Sequence, residues 1–476
     1  MRQSKLLDVL RRFSSRQTTR FRDFLDSPYF NRSAEISRFW EFLSAYAPDY
    51  QDEALVKSTA TQRLGALVPV SEKRLSYLMN QLQQLAEEFL AVEFFRTNDL
   101  EEALALLQVW RPGDLPRHFK HTLEKAVQAL EKDPWRNAAY YLNAFRLSDI
   151  RYRSADQNQH QFIQPLQQAS DALDDFYLVE KLRYTWSMAN LEYMLNLQYD
   201  WQLGAWILEY FARDNRPLNP TAEIYLAGIR MVRAPDDTRH FFQLKDLLEI
   251  HEARFDEPER KYLYTGLLNY CTRRINQQND AQFSTEYLEI NKRLLAAGLL
   301  FENGQLAPWR FLNLVNTGLR SGQAGWVQDF IRDYRGRLPA DYADDVSLTA
   351  QAQLFYHRKD YARAQVLLNQ ANPKDVLLAV TIRNLLTRIY YERGETELLL
   401  SFLEAYRIYL LRQELLSPQM KKQARRFVDF TRKLAKIDRP EAHLLPKLKA
   451  DLPAAAEIYH RDWLLEQIGR KMAGLF

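Results

Sequence analysis

LTAQAQLFYHRKDYARAQVLLNQA, residues 348–371, decides how this chain is read. Leu348, Ala352 and Phe355 recur at helical spacing. After a gap of six residues Tyr361, Ala364, Leu368 and Ala371 do so again. The apolar period is 3.6 and not 2, which predicts two helices. Small side chains at Ala352 and Ala364 let two antiparallel helices approach closely, while Phe355, Tyr361 and Leu368 fill the space beside that contact.

The pattern returns along the chain. A shift of 35 residues gives Tyr390, Gly394, Leu399, Leu403 and Tyr406; a shift of 37 residues backward gives Val315, Gly322, Val327, Ile331, Tyr334 and Pro339. On these residues the segment resembles a tetratricopeptide repeat, a 34-residue helix–turn–helix unit with small and aromatic residues at such spacings. The resemblance spans roughly Pro308–Tyr409. Val376 stands where the family unit ends in Pro, and Pro373 lies three residues earlier. It implies an α-solenoid of antiparallel helical hairpins whose first helices line one groove. The solvent-facing groove positions in that phase are Asn316 and Arg320, Gln353 and Tyr356, and Asn384 and Arg388. Asn hydrogen-bonds extended backbone and Arg pairs with carboxylates. Tetratricopeptide-like proteins use this surface for peptides, so the resemblance implies a protein or peptide partner; solvated helix residues are the plainer alternative. The stretches SPYFN (27–31) and LDDFYLVEKLRY (173–184) are also similar to uncharacterised bacterial helical proteins, which implies no activity.

Elsewhere the period is again helical. Ser71 is expected to cap a long helix with the stripe Leu75, Leu78, Leu82, Leu85, Phe89 and Val92, and Ser33 opens another with Ile36, Phe39, Trp40 and Leu43. RPGDLP (111–116) and SADQNQHQ (154–161) read as breaks, as does Asn303–Pro308. Leu173–Leu197 reads as a further long helix, and Tyr177 and Tyr184 on it as core, because their spacing is that of helix packing. The division expected is an N-terminal helical module at 1–110, an irregular hairpin array at 111–440 and C-terminal capping helices at 441–476. The last helix is expected to begin near Pro453 and to carry Ile458, Trp463, Leu464 and Ile468.

Composition agrees with an all-α chain. Only 14 of 476 residues are Gly, which disfavours Gly-rich phosphate loops and turn-dense β folds. With 65 Lys+Arg against 61 Asp+Glu the net charge is +4, near balance for this length. The N-terminal apolar residues Leu6, Leu7, Val9, Leu10 and Phe13 are interrupted by Asp8, Arg11 and Arg12, the pattern of an amphipathic helix and not of a secretory signal. No run approaches the roughly 20 apolar residues of a membrane span, so no membrane insertion is expected and the cytoplasm is the expected compartment.

Chemistry-bearing constellations are sparse. Nucleophile-elbow, phosphate-loop, HExxH and dinucleotide-binding patterns are not found, so no enzyme, cofactor or metal site is expected. Cys271 is the one Cys and reads as a buried small hydrophobe. His118 and His121 sit one turn apart and read as a surface pair, and Asp171, Asp174 and Asp175 as solvated carboxylates. The sharpest charge feature is KKQARRFVDFTRKLAKIDR, 421–439. At about 100° per residue its basic residues, Lys421, Lys422, Arg425, Arg426, Arg432, Lys433, Lys436 and Arg439, share an arc of about 140°. Phe427, Phe430, Leu434 and Ile437 lie opposite. Such a face suits phosphates or an acidic surface, which makes a nucleic-acid-associated regulator the alternative to a protein-binding scaffold.

Overall fold

The computed structural model describes residues 4–51, 55, 61, 71–110, 115–155, 162–195, 197–213, 217–278, 280–454 and 457–474. Most of the 111–116 and 154–161 breaks lies outside them. Among the described residues the chain is all-α apart from turns, short 3₁₀ segments and one two-residue β-hairpin. No described helix is long and apolar enough to cross a membrane. The chain falls into two units: Met1–Thr185 with Trp201–Tyr225 and Ala253–Phe255, and Trp186–Asp200 with Leu226–Glu252 and Asp256–Phe476.

The first unit opens with α1 (Lys5–Leu10), α2 (Ser15–Asp26), α3 (Ala34–Ser44) and α4 (Glu72–Thr97). Its helix starts are legible. Ser14 and Gln17 form a reciprocal capping box, and Ser71 Oγ accepts the Arg74 backbone N–H at 3.3 Å, a cap that contributes about 1 kcal/mol. The amphipathic stripes meet in one core running from Leu6 to Phe89. At its centre the fully buried Phe21 ring lies 5.4 Å from Phe13, 4.9 Å from Trp40 and 5.2 Å from Phe89. Then follow α5 (Asp99–Val109), α6 (Pro116–Lys132) and α7 (Ala138–Ser154), with a second core of Leu100, Leu104, Phe119, Ala126, Leu130 and Leu147. The 33-residue α8 (Ile163–Leu195), α9 (Leu203–Arg213) and α10 (Pro220–Arg233) come next. Tyr177 and Tyr184 on α8 are exposed, not core as their spacing suggested. Periodicity places residues on one side of a helix without saying which side is covered.

The second unit continues with α11 (Arg239–His251), α12 (Glu257–Gln278) and α13 (Ala281–Ala296). The expected break at Asn303–Pro308 is a hairpin of β1 (Phe301–Glu302) and β2 (Gln305–Leu306). Asn303 and Gly304 turn it, both at positive φ, as a two-residue Asn-Gly turn requires. Three helix pairs follow: α14 (Pro308–Arg320) with α15 (Ala324–Tyr334), α16 (Ala343–His357) with α17 (Tyr361–Gln370), and α18 (Val376–Glu392) with α19 (Thr396–Arg412). Each helix packs on the next, and the first helices α14, α16 and α18 also pack in succession on one another. Ala352 and Ala364 are fully buried where α16 meets α17.

All three pairs close in the same way. The N–H groups of Gln323, Asp360 and Glu395 reach back to the carbonyls of Gly318, Phe355 and Tyr390. Those of Gly322, Lys359 and Gly394 reach Leu319, Tyr356 and Tyr391. This is the Schellman closure with its left-handed residue, at φ 72, 61 and 69°. The offsets of 37 and 35 residues read from the sequence thus recur as backbone geometry.

α20 (Pro418–Lys436) buries Phe427, Val428, Phe430, Leu434 and Ala435, and α21 (Leu445–Ala450) and α22 (Arg461–Met472) complete a core with Ile458, Trp463, Leu464 and Ile468. The last helix begins at Arg461 and not near Pro453, because His460 takes a left-handed φ of 53° that no helix can carry through. The Pro453 carbonyl instead accepts Arg461 Nε at 2.9 Å.

Candidate functional site

The six groove positions do not share one environment. Asn316 and Arg320 are exposed on α14. Gln353 and Asn384, expected to face solvent, are only 7% and 5% exposed. That expectation fails for a physical reason: the first helices of the pairs touch neighbours on more than one side, which covers positions that an isolated hairpin would leave to solvent. Asn384 Oδ1 accepts the Tyr406 hydroxyl at 2.9 Å, joining α18 to α19, while Gln353 Oε1 has no partner among the described residues.

Tyr356 and Arg388, both half-buried, are brought together across α16 and α18. The Arg388 guanidinium lies over the Tyr356 ring, 4.6 Å from its centroid, and its buried Nε has no acceptor among the described residues. Burial lowers the Arg388 pKa from its usual value and raises the Tyr356 phenol, because each would be charged away from water. A planar cation stacked on an aromatic ring is prepared for a bidentate carboxylate.

One turn along α18, Glu392 is the residue that sequence reading missed. Its carboxylate accepts Trp463 Nε1 at 2.9 Å, Gln467 Nε2 at 2.8 Å and Arg470 Nη1 at 3.2 Å. These three donors stand at i, i+4 and i+7 on α22, and the Tyr391 and Trp463 rings meet edge to face at 5.3 Å. His460, just before α22, lies against Phe427 with ring centroids 5.1 Å apart. Its imidazole is held well below the ordinary value by burial and then by the Arg388 charge. The C-terminal helix is therefore anchored beside Arg388 on α18. The i, i+4, i+7 donor row was available in the sequence, but nothing there pointed it at Glu392.

On α20 the cationic face is narrower than its sequence suggested. Lys422, Arg425, Lys433 and Lys436 are exposed, and Lys421 is half-buried. Arg426 is paired with Glu457, and Arg432 with Glu404. Glu404 also takes Arg407 at 2.7 Å, and hydrogen bonds from Arg407 and Arg432 hold its carboxyl at about 2. Lys433 Nζ sits 5.3 Å from the Phe430 centroid, and the exposed Asp429 interrupts the face.

Cys271 is fully buried and burial pushes its thiol pKa up, the opposite of thiolate activation. His118 and His121 are exposed on α6. Asp171 accepts Gln167 Nε2 and Asp175 accepts Asn219 Nδ2. No cluster of three or more His, Cys, Asp or Glu suited to a metal ion occurs among the described residues. No protein-family model, curated protein or solved structure matches the chain.

Proposed function

We propose that this chain is a non-enzymatic, cytoplasmic binding scaffold, in which a tetratricopeptide-like α-solenoid from Pro308 to Arg412 presents a surface to a protein or peptide partner. The observation that carries this reading is the threefold return of one turn at Gly322, Lys359 and Gly394, with α14, α16 and α18 stacked as successive first helices. An array built by repetition exposes an extended face and does not enclose a reaction centre. The open end of that face is at Asn316 and Arg320, which remain exposed; the end near Arg388 is flanked by the chain's own α22. An acidic or carboxylate-bearing peptide is the partner class that Arg320 and Arg388 suit.

The test uses the full chain and a displayed library of extended peptides. Asn316→Ala with Arg320→Glu should weaken selected peptides by roughly tenfold or more, the scale of one lost charge-assisted pair. Asn316→Ala alone should leave the urea midpoint unchanged, since Asn316 is exposed. Affinity that survives both substitutions defeats the groove reading.

The second reading is a nucleic-acid-associated regulator. It is favoured by Lys422, Arg425, Lys433 and Lys436, which are exposed on one face of α20 and make no ion pair among the described residues. It is weakened by the pairing of Arg426 and Arg432 and by the near-neutral total charge. If it holds, oligonucleotide anisotropy should fall steeply with salt, and changing these four residues to Ser should flatten that slope by about three to four phosphate contacts.

A further inference from the structure

α8 is apolar on two opposite faces, and only one is covered. Val179 and Leu182 are fully buried. About 180° away around the helix, at about 100° per residue, stand Ile163, Leu166, Leu173, Tyr177 and Tyr184. They are 60, 45, 44, 39 and 57% exposed and share an arc of about 80°. All five lie within the first unit. Their successive spacings of 3, 7, 4 and 7 residues are those of a and d positions in a heptad, with Ser170 and Glu180 at the intervening sites. A seam of period 3.5 is the pattern that one helix presents to another along its length. Scattered exposed apolar residues need no partner, but a row of five along one helix does.

The charges beside the seam select the partner. Asp174, which is exposed, and Lys181, which is half-buried, occupy the same flank, seven residues apart, and neither side chain makes an ion pair among the described residues. Let a second α8 run antiparallel about a two-fold axis between residues 178 and 179. Leu173 then faces Tyr184 of the second copy, Leu166 faces its Leu191, which is 38% exposed in the same arc, and Tyr177 faces its Glu180, a phenol donor beside a carboxylate acceptor. Asp174 lies beside Lys181 of that copy, and the two-fold axis makes each contact twice. A parallel pair would instead oppose Glu180 with Glu180, each already held by its own Arg183, and would leave Asp174 without Lys181 of the second copy beside it. The surface is self-complementary in the manner of an isologous interface. We infer that α8 is a homodimerisation helix, and that two copies of the chain pair antiparallel through the Leu166–Leu191 seam.

Light scattering on the purified full chain should give twice 56.3 kDa at micromolar concentration. Leu173→Glu with Tyr184→Glu should return the mass to 56.3 kDa with unchanged helical circular dichroism. Should that variant lose helicity, the Asp174–Lys181 charge pair provides the test alone. Asp174→Lys or Lys181→Glu should each raise the dimer dissociation constant roughly tenfold, since each sets like charges together twice. The double exchange should restore it to within about threefold, the scatter expected of a coupled pair. A monomer at all concentrations, a larger assembly, or a dimer indifferent to the seam substitution overturns the inference. Failure of the double exchange to restore binding overturns the antiparallel arrangement.

Discussion

The N-terminal helices from Lys5 to Thr97 and the helix pairs from Pro308 to Arg412 solve the same burial problem in opposite ways. In the first region, rings from segments far apart in sequence converge on one point: Phe13, Phe21, Trp40 and Phe89 interlock around Phe21. In the second, each helix leans on its neighbours, and the same backbone closure recurs at Gly322, Lys359 and Gly394. On the proposed repeat reading, stability in the second region is distributed along the chain, whereas in the first it rests on a few side chains.

The sharpest way to break that contrast is Phe21→Ala. Phe21 is fully buried and lies against four other rings, so truncation should cost about 3–5 kcal/mol. Hydrogen exchange should then speed up together in α2, α3 and α4. In the array, the matching test is Gly318→Ala. An added Cβ would stand 2.5 Å from Val327 Cγ2 and 3.2 Å from the Trp326 ring, so α14 and α15 must shift apart at a cost of about 1–3 kcal/mol. Exchange should rise in that pair and fade by α18. Uniform loss across the array would show that its stability is not local.

The contrast also explains what could be read in advance. Ser71 was legible because a capping side chain precedes an unbroken apolar stripe, and the turns at Gly322 and Gly394 because glycine marks the left-handed residue. Lys359 carries no such mark, and only the 37- and 35-residue offsets placed it in the set. Fold class was therefore legible almost everywhere. Burial of polar residues was not. Asn384 is internal because Tyr406, on the following helix, donates to it, and no local pattern encodes that pairing. Tyr177 and Tyr184 were misplaced because one period describes both faces of α8. Arg388 is half-buried where a solvent-facing position was expected, and its neighbours Glu392 and His460 come together only through contacts between α18 and the C-terminal segment.

The C-terminal segment offers a third test, set by pH. His460 titrates well below its ordinary value of 6.5, because burial and then the Arg388 charge oppose the imidazolium. A folded imidazole that refuses the proton its unfolded form accepts gives stability that is complete above 6.5 and lost as pH falls below it. The slope is at most about 1.4 kcal/mol per pH unit. Asn tolerates the left-handed backbone at this position. His460→Asn should therefore flatten the dependence of the α20–α22 core between about pH 6.5 and 5 without unwinding α22. Unchanged pH dependence of unfolding would move the titrating group elsewhere.

The smallest effect bears most directly on whether the three closures are one motif. Lys359 holds a φ of 61° where its counterparts are Gly322 and Gly394 at 72 and 69°. A side chain in that region costs about 1 kcal/mol, which glycine does not incur. Lys359→Gly should therefore stabilise the α16–α17 pair by up to about 1 kcal/mol, less the entropy that glycine adds to the unfolded chain. Gly322→Ala and Gly394→Ala should each destabilise by about 1 kcal/mol. No atom lies within 4 Å of where a Cβ would stand on either glycine, so backbone conformation and not crowding sets the sign. Urea midpoints of the three variants, read against one another, decide the point. Opposite signs for the lysine and the two glycines establish a shared turn, whereas a loss at all three positions means that the Lys359 side chain does something in its own hairpin that its counterparts do not.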